Sequence, residues 1–326
     1  MIASLTSHTT DNPEDSFADG MDERKEKKQL LKVLVCCHMP SEYIISTPPY
    51  EPIQAGKALH PDVDLGFQTD DTGDNISDRN ARWCEWTVLY WGWKNIHDVK
   101  YMGLCHYRRY FGCDLSDSSV ESLLKDRDII VTPIVCLQCS VARWLGEWTS
   151  VECVHIFLSE LLRLHPEYKD AIDSYCNGNK FYKCAMFIAR KEVYDDFCAT
   201  MVPVLEAVDR LYSPMQFTRQ KRAIGYLGEV SLGLYITHKH LRCRVVRDRI
   251  FVPSTRNDSR LKKFMMRRRA TAFIYLKLVE MKDRRFDVLY RIGWRLLTFA
   301  DKRPLFNDTV VRGLKSDGYD CYSDTE

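Results

Sequence analysis

The chain has 326 residues, a net charge of +2 and an apolar fraction of 45%, enough for one large globular domain or one and a half. No run approaches the roughly 18 apolar residues of a membrane-spanning helix. The near-neutral balance argues against a strongly basic nucleic-acid-binding core. Thirteen cysteines, several inside apolar runs (Cys36, Cys37, Cys105, Cys184), read as reduced thiols acting as small hydrophobes. Cys136 and Cys139 form a lone CxxC without a second pair or paired histidines, so neither zinc nor redox chemistry is expected there.

Residues 1–30 are polar and acidic before turning to lysine at 23–28. They lack an apolar stretch and are expected to be a disordered lead-in, not a signal peptide. The apolar run 32–37 predicts a strand buried on both faces, and a short helix is expected at 52–60. Ser77 is placed to cap the next helix, with Asp78 in its first turn. Trp83, Trp86, Thr87, Tyr90 and Trp93 then recur at three- and four-residue steps, which predicts one aromatic stripe on a single helix. Strands at 100–106 and 128–135 follow, then a helix at 150–164 that ends before Pro166. A strand at 181–189, a long helix at 191–210, a helix starting near Gly228 and a strand at 241–247 complete the pattern. Strands alternating with helices predict an α/β domain, 31–256, with a mostly parallel sheet and flanking helices. In 257–313, apolar residues alternate with Lys and Arg at helical spacing. That segment is either a solvated helix pair packed on the domain or a basic amphipathic extension for an anionic membrane surface. Residues 314–326 form an acidic tail.

The chemistry concentrates between Asp71 and Phe111. Four tryptophans (Trp83, Trp86, Trp91, Trp93) lie between the acidic loop Asp71-Thr72-Gly73-Asp74-Asn75 and the cluster His106-Tyr107-Arg108-Arg109. Sugars stack on rings, phosphates need forked donors, and hydroxyls need carboxylates or amides, so the stretch suits a ligand that joins sugar to phosphate. The plainer reading is an aromatic core helix followed by a basic strand end.

Several segments agree in order with one known family: KVLVCCHMP (32–40), EPIQAGKAL (51–59), TGDNIS, YWGWKN, GLCHYRRYF, FYKCAMFIARKEVYDDF (181–197) and RAIGYLGEVSLGLYI (222–236). Together they resemble the signature of a bacterial polysaccharide-biosynthesis glycosyltransferase family catalogued as domain of unknown function 4422, over about residues 31–240. Trp86 stands where that family has Leu, and Lys183-Cys184-Ala185 where it has Asn before Met186. Both departures bear on the acceptor side.

The resemblance implies an A-type glycosyltransferase-like (Rossmann-like) fold. It also implies transfer of a hexose, such as galactose or galactofuranose, from a nucleotide diphosphate sugar, UDP-linked by preference. The acceptor would be a lipid-linked saccharide of a capsule or exopolysaccharide, met at the cytoplasmic face of the membrane. Open α/β sheets bind ligands at the carboxyl ends of their strands. The loop after Cys37, the segment after strand 100–105 and the loop after strand 181–189 should therefore meet in one crevice. A-type transferases commonly place an Asp-x-Asp there for Mn²⁺ or Mg²⁺. His106-Tyr107-Arg108-Arg109 stands in that place here, which points to a metal-free reaction with arginines neutralising the diphosphate.

His106, Arg108 and Arg109 are thus expected at the donor, with Asp71, Asp74 and Asn75 on ribose or sugar hydroxyls. Trp86, Trp91, Trp93 and Tyr107 are expected to stack on sugar. Glu229, placed in a helix's first turn, is the expected general base; Glu85 is the second choice and Asp209 a third. A non-catalytic binder of nucleic acid or anionic membrane, and a nucleotide-sugar hydrolase, are the competing readings. The acid loop and the modest overall charge disfavour nucleic acid as a partner.

Overall fold

The computed structural model describes residues 29–216 and 219–251. The expected lead-in, the basic extension 257–313 and the acidic tail lie outside the described residues, except for the last two positions of 1–30. The strands are β1 (Leu31–Cys37), β2 (Tyr50–Gln54), β3 (Gln68–Thr69), β4 (Tyr101–His106), β5 (Arg109–Phe111), β6 (Ile129–Val131), β7 (Val135–Cys136), β8 (Lys180–Phe181), β9 (Phe187–Arg190), β10 (Cys243–Val245) and β11 (Asp248–Ile250). The helices are α1 (Asn80–Trp83), α2 (Trp86–Asn95), α3 (Asp117–Leu123), α4 (Val141–Trp148), α5 (Val151–Leu164), α6 (Lys169–Ala171), α7 (Lys191–Leu211) and α8 (Ala223–His238).

The main sheet has the order β10-β6-β9-β4-β1-β2-β3. Its pairings are parallel except around β9, which runs against both β4 and β6. β5 and β11 extend β4 as an antiparallel ribbon. Side chains alternate across a strand, and β1 shows the consequence. Leu34 and Cys36 face one apolar layer with α2, α5, α7 and α8, whereas Val33, Val35 and Cys37 face a second with Tyr107, Tyr110 and Val120. Burial on both faces is why β1 and β4 read as continuous apolar runs. Close helix–sheet contact is set at Gly92, where an added Cβ would lie 2.4 Å from Leu34 and 2.5 Å from Met102.

Six expectations need correction. The first half of 52–60 is strand β2, and only Lys57–Leu59 is helical, as a single 3₁₀ turn. Ser77 does not cap the next helix: it is buried inside a 3₁₀ turn, donates its hydroxyl to Asp70 and accepts the Ala58 N–H at 3.1 Å. The tryptophan stripe is broken between α1 and α2 at Cys84, whose φ of 53° lies in the left-handed region. The run 181–189 divides into β8 and β9 around a tight turn at Lys183–Ala185, just as 128–135 divides into β6 and the start of β7. The last correction is that α8 begins at Ala223, so Glu229 sits in its second turn.

Candidate active site

β1 and β4 are parallel, so Cys37 and His106 end on the same edge of the sheet. β9 is antiparallel to β4 and brings its amino end to that edge. The turn Lys183–Ala185, not the loop after 189, therefore borders the crevice. α8 crosses behind it, packed against the α1–α2 junction because two of its glycines leave room. A Cβ on Gly225 would lie 2.8 Å from Cys84 Sγ, and one on Gly228 would lie 1.7 Å from Trp86 Nε1.

This packing sets the carboxyl of Glu229, the one acidic side chain of α8, near that of Glu85 at the start of α2. Glu85 is buried and Glu229 half-buried. Glu229 Oε2 accepts the Cys184 backbone N–H at 2.9 Å, and His106 Nε2 contacts the Cys184 carbonyl oxygen at 2.8 Å. The two bonds clamp a turn in which Cys184 takes a φ of 64°. At the other junction the strained Cys84 is held by Asn80, whose amide donates to the Cys84 carbonyl at 2.8 Å, and by Arg222, whose Nε donates to Sγ at 3.1 Å. Left-handed backbone at a non-glycine residue costs energy and clusters where the surroundings fix a working geometry. Here it occurs on both sides of the carboxyl pair.

Burial pushes Glu85 up to about 7, against a smaller opposing pull from its own backbone N–H and Arg222. Burial also pushes Glu229 up to about 7, with the neighbouring Glu85 as the second cause; the Cys184 N–H, His106 and Arg222 act the other way. Each carboxyl therefore keeps its proton to a higher pH than a free glutamate does, and the charge of Glu85 raises Glu229 further. His106 is lowered, first by burial, so it serves the turn as a neutral ring and brings no charge to a phosphate.

Arg108, Arg222 and His38 gather at the rim. His38, just past β1, is lowered by burial of its ring and then by Arg108, Arg222 and His106. Tyr107 lies between two of them, with His38 edge-on at 5.2 Å and the Arg108 guanidinium 4.7 Å from its ring centre. The next residues of this loop, Pro40, Ser41 and Ile44, join Asp64, Leu65 and Phe67 around an open cleft of about 220 Å³. Apolar walls, two polar side chains and one ring suit the base of a nucleotide.

The other expected site residues lie elsewhere. Arg109 is committed to Asp248 at 3.0 Å, an ion pair that ties β5 to β11. Asp74 accepts from Tyr90 at 3.0 Å and Asp71 from Thr69 at 2.5 Å, while Asn75 folds onto Gly73 and Ser77. Asn95 fastens this loop to the carboxyl end of α2. Ten residues of helix, about 15 Å, separate Asn95 and the Asp74 it holds from Glu85. Trp86 cannot stack on sugar: it is fully buried against Phe197 and Gly228, and among the described residues its Nε1 finds no hydrogen-bond partner. Trp91 is also buried, donating to Thr72. Trp93 is half-buried under Lys94 at the far end of α2. Tyr107 is buried and lies between His38 and Arg108. Asp209 pairs with Arg82 and accepts from Trp83.

Sequence reasoning passed over His38, Arg222, Tyr226 and Asp70. Asp70, fully buried, accepts from Gly56, Lys57, Ser77 and Thr87, and so joins the ends of β2 and β3 to α2. Arg222, Tyr226 and Glu229 were legible, since steps of four and three residues put them on one helix face.

A divalent cation of the Mn²⁺ or Mg²⁺ kind does not fit the end of β4. Imidazole and guanidinium stand where carboxylate oxygens are needed, and among the described residues no three His, Cys, Asp or Glu side chains are grouped as ligands.

The sequence profile of a family described as Domain of unknown function (DUF4422) matches residues 32–240. No curated protein matches. Among solved structures, the apo form of the bifunctional glycosyltransferase WbbM superposes with a TM-score of 0.64 at 23% identity over 71% of this chain. The match takes in 47% of that protein, so the chain spans about half its length. At that identity the likeness establishes the fold alone: a mixed, mostly parallel sheet flanked by helices, consistent with the A-type glycosyltransferase-like α/β fold expected from the sequence.

Proposed function

We propose that this chain, which belongs to the DUF4422 family, is a glycosyltransferase that moves a hexose from a nucleotide diphosphate sugar to a saccharide acceptor. The observation that carries the reading is one juxtaposition: a carboxyl pair pushed up to about 7 lies beside Arg222, and Arg222 also acts on His38 at the rim with Arg108. In the reaction the acceptor oxygen attacks the anomeric carbon, and the bond from that carbon to the donor phosphate oxygen breaks. Glu229, ionised as the pair gives up the proton it shares with Glu85, takes the proton of the attacking hydroxyl. Arg108 and Arg222 neutralise the departing diphosphate, work that a metal does in other enzymes. The cleft at Pro40, Ile44 and Phe67 receives the base, so donor and catalytic carboxylate follow one another along the sheet edge.

The finer reading is a UDP-linked galactose or galactofuranose donor and a lipid-linked surface-polysaccharide acceptor. It rests on the family resemblance and on the basic segment 257–313. That segment would hold the enzyme on the cytoplasmic face of a membrane, which flotation with phosphatidylglycerol vesicles tests. Among the described residues no helix is long and apolar enough to cross one.

A panel of UDP-, GDP-, CDP- and dTDP-sugars, read by thermal shift, tests the donor. One nucleotide class should raise the midpoint by mass action, with and without EDTA alike. No response to any of them would overturn the proposal, and a response abolished by EDTA would overturn its metal-free form.

A further inference from the structure

The proposed reaction leaves one built surface unused. α4, capped by Ser140, carries Trp144 and Trp148 one turn apart, with ring centres 5.8 Å from each other. Trp144 packs on Phe181 at 4.5 Å, and Trp148 packs on Tyr226 of α8 at 5.2 Å. Tyr226 is three residues before Glu229, hence its neighbour on the same helix face, and the Glu229 carboxylate acts on the Tyr226 phenol. A file of rings thus leads from β8 to the carboxyl pair. Trp144, Trp148 and Tyr226 all stay half-buried, although their neighbours in the core are shut away.

Two guanidiniums edge this file. Arg219 lies 4.6 Å from the Trp148 ring centre and Arg222 lies 5.9 Å from that of Tyr226. Arg219 is fixed by donating to the Glu147 carbonyl, and Gln220 donates to the Thr149 carbonyl at 2.8 Å. Among the described residues, neither arginine has an ion-pair partner within 4.0 Å. Packing alone explains rings that touch, and capping explains an arginine at the end of α4. Neither explains why aromatic faces and cations both remain accessible beside the residue that must deprotonate an incoming hydroxyl.

We infer that Trp148 and Tyr226 form the acceptor platform, and that the acceptor is a saccharide carrying an anionic group. One sugar ring stacks on the aromatic file, its hydroxyl directed along α8 to Glu229, and its carboxylate or phosphate meets Arg219. This assignment rests on the transferase reading for its role, but the binding it claims can be measured without a donor. It also separates transfer from simple donor hydrolysis, which needs no such surface.

The test uses the full chain and three probes: methyl glucoside, methyl glucuronide and methyl glucoside 6-phosphate, with binding followed by saturation-transfer NMR. Wild type should bind at least one anionic probe about three-fold or more tighter than the neutral one, and the two anionic arms distinguish carboxylate from phosphate. Trp148→Ala should weaken binding about ten-fold, with Trp148→Tyr recovering most of it, which guards against a folding defect. Arg219→Ala should remove the preference for charge while the neutral glucoside binds as before. Equal binding by Trp148→Ala and wild type, no binding by wild type, or an anionic preference that survives Arg219→Ala would overturn the inference. Saccharide binding that depends on Trp148, in a protein that answers no nucleotide sugar, would instead overturn the donor reading and leave the platform standing.

Discussion

The two ends of α2 carry similar chemistry, with carboxylates, tryptophans and a polar turn at each, yet the fold treats them in opposite ways. At the Asn95 end the polar groups are used up by the protein. Trp91 donates to Thr72, Tyr90 donates to Asp74, and Asn95 bridges the loop to the helix. At the Glu85 end they are left in tension. Two carboxyls repel each other under burial, Cys84 and Cys184 sit in left-handed backbone, and the Trp86 indole N–H has no partner among the described residues. Satisfied polar groups stabilise a turn, whereas unsatisfied ones keep interaction free energy for something that arrives later. Charge and aromatic content alone do not separate the two cases.

The sharpest way to break this contrast is to neutralise one carboxylate at each end. Glu229→Gln should cut transfer by roughly 10² or more while donor binding stays within a few-fold, as expected of a lost general base. Asp74→Asn should leave transfer within about two-fold and register mainly in the thermal midpoint. Equal losses would erase the distinction.

The arginines supply a smaller effect. Arg222→Ala or Arg108→Ala should weaken donor binding about ten-fold, since a charge-assisted bond contributes roughly 1.5–3 kcal/mol. Arg109→Ala should instead lower stability by about 1 kcal/mol through the partly exposed Asp248 pair, measured by denaturant titration. Donor loss in Arg109→Ala with none in Arg222→Ala would restore the reading that the sequence suggested.

β1, β4, α5 and α7 were legible because each is a long run with one period, buried by its own pattern. What the sequence concealed depends on partners far along the chain. Trp86 looks like a stacking platform until Gly228, a residue without a side chain, proves to lie against its ring. Asp70 and Asp71 are adjacent carboxylates, and only the fold decides that the first is a buried hub and the second a surface turn. The turn at Lys183–Ala185 was hidden inside an apolar run because its strain is offset by Glu229 and His106. Arg222 and Tyr226 were within reach, since their spacing to Glu229 marks one helix face.

The smallest effect is on stability against pH. Both glutamates are raised above their unfolded values, so the folded state binds more protons than the unfolded state between about pH 4.5 and 7. Their contribution is complete below that window and is lost as pH rises through it, at up to about 1.4 kcal/mol per pH unit for each proton. Glu85→Gln should flatten the decline in denaturant titrations across this window. A wild type that grows more stable from pH 5 to 7, with Glu85→Gln unchanged from it, would show that the pair is not under strain.

The central claim is that Glu85 and Glu229 act as one proton-sharing unit, and the pH dependence of kcat/KM for transfer tests it most directly. Wild type should gain rate as pH rises through about 7, where the pair gives up its shared proton. In Glu85→Gln, with the repelling charge gone, that rise should fall about one pH unit lower. A flat profile between pH 5.5 and 8.5, or a rise that Glu85→Gln does not move, would contradict the account.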